Sequence, residues 1–269
     1  MKKVAFLTTV FPMKESFLLE FFNSLTQQTY KDFDIIIVND GLENFNYFIE
    51  KFAELNFIII SGCSNIAKNR EIGINYCINN NYDILIFGDS DDYFSENRVE
   101  KSIEFLKESD IVVNDLSLFT DKEIYKEKYI SNRIDNKFKI DFEFIKNKNI
   151  FGLSNTAIRL KGLDIVTIPS DLNVVDWYLF SILLLKKRIA IFSNEMITFY
   201  RQYNLNMIGL SSITKEVYEN SIKIKKSHYK SLLKIYKNNF FKDELERLEK
   251  SDYNNIDKNL KNPLWWELI

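Results

Sequence analysis

Short apolar runs alternate with amphipathic stretches through the first 115 positions, and this rhythm predicts strands joined by helices. Lys3 to Thr9 reads as a buried strand, and Phe33 to Val38, Phe57 to Ile60, Asp83 to Phe87 and Ile111 to Val113 read as further strands. Between them, Glu15 to Gln28, Glu43 to Glu54, Asn65 to Asn79 and Glu96 to Glu108 read as helices. Strand alternating with helix implies an α/β fold with right-handed crossovers: a Rossmann-like, mostly parallel sheet flanked by helices, its strand carboxyl ends on a common edge. After Asp115 the rhythm breaks. Residues from about Leu116 to Phe151 are charged and rich in Asn and Lys, which suggests a variable surface region with a short helix near Phe142 to Lys146. Order returns with a strand at Asn155 to Leu160, a strongly apolar helix at Val175 to Lys187, and strands near Ile189 to Phe192 and Ile197 to Arg201. From Ser212 onward the pattern is a C-terminal helical extension, with Ile213, Val217, Ile224, Leu232 and Ile235 as an apolar stripe opposite lysines. No internal repeat or Pro/Gly linker interrupts the chain, so one domain in three parts is expected: 1–115, 116–210 and 211–269.

Composition narrows the function. The 269 residues carry 36 basic and 38 acidic side chains, a net charge of -2, which lacks the basic excess of a nucleic-acid binder. The longest apolar runs, such as Ile35 to Val38 and Ile182 to Leu185, fall far short of the roughly 20 residues a bilayer needs. Only seven glycines are present, and neither a G-x-G-x-x-G nor a G-x-x-x-x-G-K-[ST] segment occurs, so no glycine-rich loop cradles phosphate. The single histidine, His228, excludes sites built on paired imidazoles; within its lysine-rich stretch it reads as a surface residue. Cys63 and Cys77, with no secretory leader, fit a reduced, cytoplasmic compartment and read as buried small hydrophobes. If this protein handles phosphates, it must use carboxylates, a metal and isolated basic side chains.

In open α/β sheets ligands bind beyond the carboxyl ends of the strands. Thr8 and Thr9 follow the first strand, Asn39, Asp40 and Gly41 the second, and Gly88, Asp89, Ser90, Asp91 and Asp92 the fourth. Three carboxylates in four positions repel one another in a partly buried crevice, and a hard divalent cation with oxygen ligands relieves that repulsion. A solvated acidic turn is the plainer alternative, but the buried strand before the run points it at the ligand crevice. A calcium loop is excluded because Tyr93 and Phe94 stand where Asp or Asn and Gly are required. A phosphatase of the haloacid dehalogenase type would place its aspartate pair after the first strand, and a nucleotidylyltransferase would carry a Gly-rich loop where Val10, Phe11 and Pro12 stand.

These residues resemble the family 2 glycosyltransferases with the GT-A fold. The segments IIIVNDG at Ile35 to Gly41, REIGI at Arg70 to Ile74 and ILIFGDSDD at Ile84 to Asp92 follow the order of the family's V-D-D-G-S, A-R-N-x-G-I and L-D-x-D-D signatures. VVDWYLF at Val174 to Phe180 stands where the family has an E-D pair opening a helix, and YRQYNLNMIG at Tyr200 to Gly209 is similar to its Y-R-Q-H-x-x-N-x-x-G ending. The resemblance covers about the first 210 residues. It implies a nucleotide-sugar-binding part at 1–115 and an acceptor-binding part at 116–210, followed by the extension.

Carried over by position, Asp40 would bind the nucleobase with Thr8 beside it, Arg70 would contact the diphosphate, and Asp89 with Ser90 would hold the ribose. Asp91, with Asp89 and Asp92, would coordinate Mn or Mg, Arg201 would reach a phosphate, and Asp176 would be the general base. The implied chemistry is inverting transfer from a UDP-sugar to a glycan or lipid-linked acceptor in bacterial surface polysaccharide synthesis. Asn39, Val175 and Tyr203 replace the family's first Asp, an acid and a His respectively, leaving Tyr203 or Asn206 to serve for the missing imidazole. A non-catalytic glycan-binding relative and a metal-dependent phosphohydrolase using Asp89 and Asp91 are the alternatives. Trp265 and Trp266 are expected to dock on their own domain, while the lysines between Lys215 and Lys242 allow peripheral contact at the inner membrane face.

Overall fold

Neighbours in the first strand face different cores. Ala5 and Leu7 pack on one face of the sheet, Val4 and Phe6 on the other, as the two-residue period of a strand requires when both faces are covered. The computed structural model describes residues 2–172, 174–202, 214–255 and 265–268. Ten strands form one sheet: β1 (Val4–Val10), β2 (Asp34–Asn39), β3 (Asn56–Ser61), β4 (Ile84–Phe87), β5 (Tyr93–Phe94), β6 (Ile111–Phe119), β7 (Ile124–Lys126), β8 (Lys139–Ile140), β9 (Thr156–Arg159) and β10 (Ala190–Arg201). Their order is β3-β2-β1-β4-β9-β6-β10-β5, with β7 on β6 and β8 on β10. The long pairings are parallel, β1 to β2 and β4, β2 to β3 and β6 to β10. β9 runs antiparallel between β4 and β6, so the sheet is mixed at its centre while β1, β2, β4, β6 and β10 still end on one edge.

Helices cover both faces. α1 (Glu15–Thr26), α2 (Asn46–Lys51) and α4 (Arg98–Phe105) enclose a core rich in phenylalanine, with Phe22 ringed by Phe21, Phe45, Phe48, Phe52 and Phe57. The opposite face carries α3 (Ile66–Asn79), α5 (Phe142–Ile145), α6 (Val175–Leu185), α7 (Lys215–Leu233) and α8 (Asn239–Glu249).

The segment from Leu116 to Phe151 is not the surface region that its composition suggests. All of β6 is buried, and Tyr129, Ile130, Ile134, Ile140, Ile145 and Phe151 join the larger core. The misleading polarity is satisfied internally. The buried Asp115 carboxylate accepts from Leu116 N at 2.9 Å, Ile130 N at 2.8 Å, Ser131 N at 3.1 Å and the Ser131 hydroxyl, so a polar residue inside a strand pins a distant loop against it. Likewise the two strands expected between Ile189 and Arg201 are one, β10, whose register against β6 shifts between Ser193 and Ile197.

In the extension the apolar stripe is only partly used. Ile224 and Leu232 are buried, Ile235 is exposed and Ile213 lies outside the described residues; Tyr218, Lys225, His228 and Tyr229 fill the remaining contact face. His228 is therefore a core residue, its imidazole stacked on Trp177 of α6 with centroids 3.7 Å apart and planes 4° off parallel. Trp177 donates its indole N–H to Ile145 O at 2.9 Å, and Lys225 Nζ reaches Trp266 O at 2.9 Å, docking the buried Trp266 onto the domain. Cys77 is buried as expected, while Cys63 is exposed.

The His228 nitrogens have no hydrogen-bond partner, and burial holds the imidazole well below its ordinary value of 6.5. Its proton is then taken up by the unfolded chain and refused by the folded one, so this contribution to stability is full above the unfolded value and lost as pH falls below it. A chemical-denaturation series on the wild type and His228→Phe should differ by a slope of about 1.4 kcal/mol per pH unit below pH 6.5, absent in the variant. Parallel curves would show that the imidazole is reached by protons in the folded state.

Candidate active site

Polar side chains gather where β1, β2 and β4 end. Along β1 the alternation turns Thr9 toward α3 and Thr8 toward α1. Arg70, on α3, donates Nη1 to Thr9 Oγ1 at 3.1 Å and Nη2 to Asp89 Oδ1 at 2.5 Å. The guanidinium thus spans from the end of β1 to the end of β4. Thr8 is fully buried and its hydroxyl has no partner, so Thr9, also at the strand end but given no role from sequence, is the threonine in contact with Arg70.

The end of β2 is shaped by its own side chains. Asn39 accepts from Leu42 N at 2.8 Å and donates to Leu42 O at 3.0 Å, closing a side-chain turn around Gly41, whose φ of +88° a side chain would resist. The turn leaves Asp40 half-buried at the edge, with its Oδ1 accepting from Ser64 N at 2.7 Å.

The acidic run gives each carboxylate a different setting. Asp89 pairs with Arg70. Ser90 turns inward and donates to Thr9 O at 2.8 Å. Asp92 is buried; it accepts from Arg201 N at 2.8 Å and from the Ser154 hydroxyl, and burial first, then the charges of Asp91 and Asp89, push its carboxyl well above the usual range. Asp91 is half-buried, and its carbonyl accepts from Arg201 Nε at 2.8 Å. Arg201 itself is buried behind this run. Its guanidinium meets Asp121 at 2.8 Å and Glu20, and lies over the rings of Phe17 and Phe119 at 4.1 and 4.4 Å.

Asp176 opens α6 on the Arg70 side of the sheet. Its Oδ1 accepts from Trp177 N at 2.6 Å and Asn149 Nδ2 at 3.1 Å. Burial pushes its carboxyl up to about 7, Asp89 adds to the rise, and the Trp177 N–H, Asn149 and Arg70 oppose it. Tyr200, on β10, is driven upward by burial and then by the charges of Asp92, Asp89, Asp91 and Asp176. Asn149 and Ser154 carry no signal of their role in sequence and lie in or beside the stretch without periodicity, whereas Tyr200 opens the segment that resembles the family's Y-R-Q-H ending. Tyr203 and Asn206 lie outside the described residues.

Among the described residues no group of three or more His, Cys, Asp or Glu side chains forms a metal cage. Asp92 is committed to Ser154 and Arg201, and Asp89 to Arg70. Asp91, half-buried, stands two residues from Asp89 on the same turn. One or two carboxylates suit a Mg- or Mn-like ion that takes its other ligands from water and substrate phosphates.

The family model described as Glycosyl transferase family 2 matches residues 9–164. Among solved structures, S. aureus TarS 1–349 in complex with UDP-GlcNAc superposes with a TM-score of 0.65 at 15% identity, over 92% of this chain and 71% of that one. GalNAc-T7 with UDP, GalNAc and Mn2+ superposes with a TM-score of 0.59 at 9% identity, over 90% of this chain and 50% of that one. No curated protein sequence matches.

The acidic run starts from a close approach. A Cβ on Gly88 would lie 2.5 Å from the Phe6 ring and 2.7 Å from that of Phe94, both fixed in the core. Gly88→Ala should lower unfolding stability by about 1–3 kcal/mol through overpacking, measured by denaturant titration; an unchanged midpoint would mean that the core around Phe6 yields more readily than its packing indicates.

Proposed function

Because the chain belongs to glycosyl transferase family 2 and has the GT-A fold, we propose that it is an inverting, metal-dependent transferase. It would move a sugar from a nucleotide-sugar donor, a UDP-sugar, to a hydroxyl of a glycan or lipid-linked acceptor in bacterial surface polysaccharide synthesis. The UDP and UDP-GlcNAc held by the TarS structures and the UDP of GalNAc-T7 favour the uridine nucleotide. The reading puts the protein in the cytoplasm, with the lysines of the C-terminal helices available for contact with the inner membrane face. Among the described residues no helix is long and apolar enough to cross a membrane.

One observation carries the mechanism: Asp176, a carboxylate held near neutrality, shares its electrostatic surroundings with Arg70 and Asp89. A base must be unprotonated at working pH yet basic enough to accept the acceptor's proton, and a value of about 7 meets both needs. The Trp177 N–H and Asn149 fix one oxygen, leaving the other for the attacking hydroxyl. Asp40 would hold the base, Asp89 and Ser90 the ribose side, and Arg70 the diphosphate, moving from Asp89 toward the incoming charge. Mn or Mg, held by Asp91 with Asp89, would supply neutralisation of the leaving diphosphate. Asp92, fixed by Ser154 and Arg201, would hold the loop that presents Asp91. Arg201 would serve from behind that loop, because its guanidinium is occupied by Glu20, Asp121 and the Asp91 carbonyl.

Asp176→Asn should lower kcat by about 10²–10⁴-fold while leaving UDP affinity unchanged. The rate should fall tenfold per unit below about pH 7, since acid protonates the base. Titration of UDP with and without Mn, followed by turnover of UDP-GlcNAc, tests the rest. Metal-independent weak UDP binding by the folded chain would count against the donor assignment. UDP binding with no turnover, unaffected at Asp176, would replace catalysis by binding, and phosphate release from simple monoesters would favour a phosphohydrolase.

A further inference from the structure

Arg201 also lines a groove of about 650 Å³ that the mechanism leaves unused. It opens between α1, the edge strand β5 and the turn from β6 into β7, on the α1 face of the sheet. Its volume is that of an ordinary small-molecule site. We infer that this groove binds an uncharged saccharide chain, as a holding site for a glycan of the kind the enzyme extends; the assignment of glycan rather than another polyol rests on the transferase reading above.

Two independent features of the lining support it. One wall is aromatic: Tyr93 and Phe199 stack at 4.4 Å with planes 10° apart, and Phe119 meets Tyr93 edge-on at 4.9 Å. Both stacked rings are only half-buried, so apolar surface remains open to the groove. The electron-rich ring faces suit the polarised C–H bonds of a pyranose. The lining also holds Asn23 of α1, Gln27 just after that helix and Glu123 from the β6–β7 turn. Among the described residues these three side chains make no hydrogen bond or ion pair with the protein, so their amide N–H groups and oxygens are available to hydroxyls.

Charge decides between glycans. Four carboxylates line the groove against Lys122 and Arg201, and Arg201 is paired with two of them, Glu20 and Asp121. The surplus is negative, which repels a phosphate-rich or uronic-acid polymer and admits a neutral one. It would also attract a polyamine, the one competing ligand that aromatic walls and carboxylates both favour.

The test is calorimetric titration of the full chain with a neutral tetrasaccharide (chitotetraose, then cellotetraose), with an oligogalacturonate and with spermidine, each in the presence of UDP and Mn. The double variant Asn23→Ala, Glu123→Ala, two exposed positions outside the core, is titrated in parallel. The expected result is binding of a neutral tetrasaccharide and none of the oligogalacturonate. The variant should bind the tetrasaccharide about tenfold more weakly, as the loss of hydrogen-bonding partners would give, with UDP affinity unchanged. No tetrasaccharide binding by a chain that binds UDP, equal binding by the variant, or binding of spermidine alone would overturn the inference. UDP is read separately, so a chain that takes the tetrasaccharide and not UDP would keep the groove and discard the transferase reading.

Discussion

Three aspartates within four residues cannot share one half-buried turn unless each is answered differently, and that constraint organises this protein. Asp89 is neutralised by a cation from α3. Asp92 is taken out of solvent and surrounded by donors from the segment before β9 and from the end of β10. Asp91 stays half-buried, and its carbonyl is held by the Nε of Arg201. The repulsion that would splay an isolated acidic turn is thereby converted into a fixed presentation of one carboxylate, with a second close by.

None of those partners is local. Ser154 is 62 residues from Asp92 and Arg201 is 109. The turn therefore gains its shape only after β9 and β10 have joined the sheet, and loss of β10 would release the acidic loop as surely as a change within it. Arg201 extends the dependence further, because its guanidinium reaches α1 through Glu20 and the β6–β7 turn through Asp121. Both carboxylates are well exposed, so these pairs contribute little stability by themselves. Their effect is to fix the direction of an arginine whose Nε holds the loop.

The first half of the fold was legible because its strands are short apolar runs set between amphipathic helices; β1, β2 and β4 are buried on both faces, while β3, at the sheet edge, leaves Ile59 exposed. The second half was not, for a specific reason: its buried strands and loops contain Asn114, Asp115, Ser117, Ser154 and Asn155, all nearly inaccessible, and Asp115, Ser154 and Asn155 are hydrogen-bonded within the protein. A polar residue signals surface only if its partner is water, and sequence does not say what the partner is. The same ambiguity hid His228 among lysines. At the strand ends the sequence indicated where acids and the arginine of α3 stand. It could not separate Thr8 from Thr9, which depends on strand parity, nor foresee that Asn149 would hold Asp176.

The scarcity of glycine bears on how charge is handled here. Without a glycine-rich loop, backbone amides cannot wrap a diphosphate, so in the proposed mechanism neutralisation falls to side chains and a cation. Arg201 is engaged behind the loop, which leaves Arg70 as the guanidinium among the described residues positioned between the ends of β1 and β4. Its resting partner is Asp89, the carboxylate proposed to meet the ribose and the metal. Donor entry would then exchange one ion pair for another instead of stripping a bare arginine of water, which keeps the cost of reorganisation small. The same exchange would free Asp89 for its own ligands as Arg70 leaves it, so that arrival of the diphosphate and assembly of the cation site become one event.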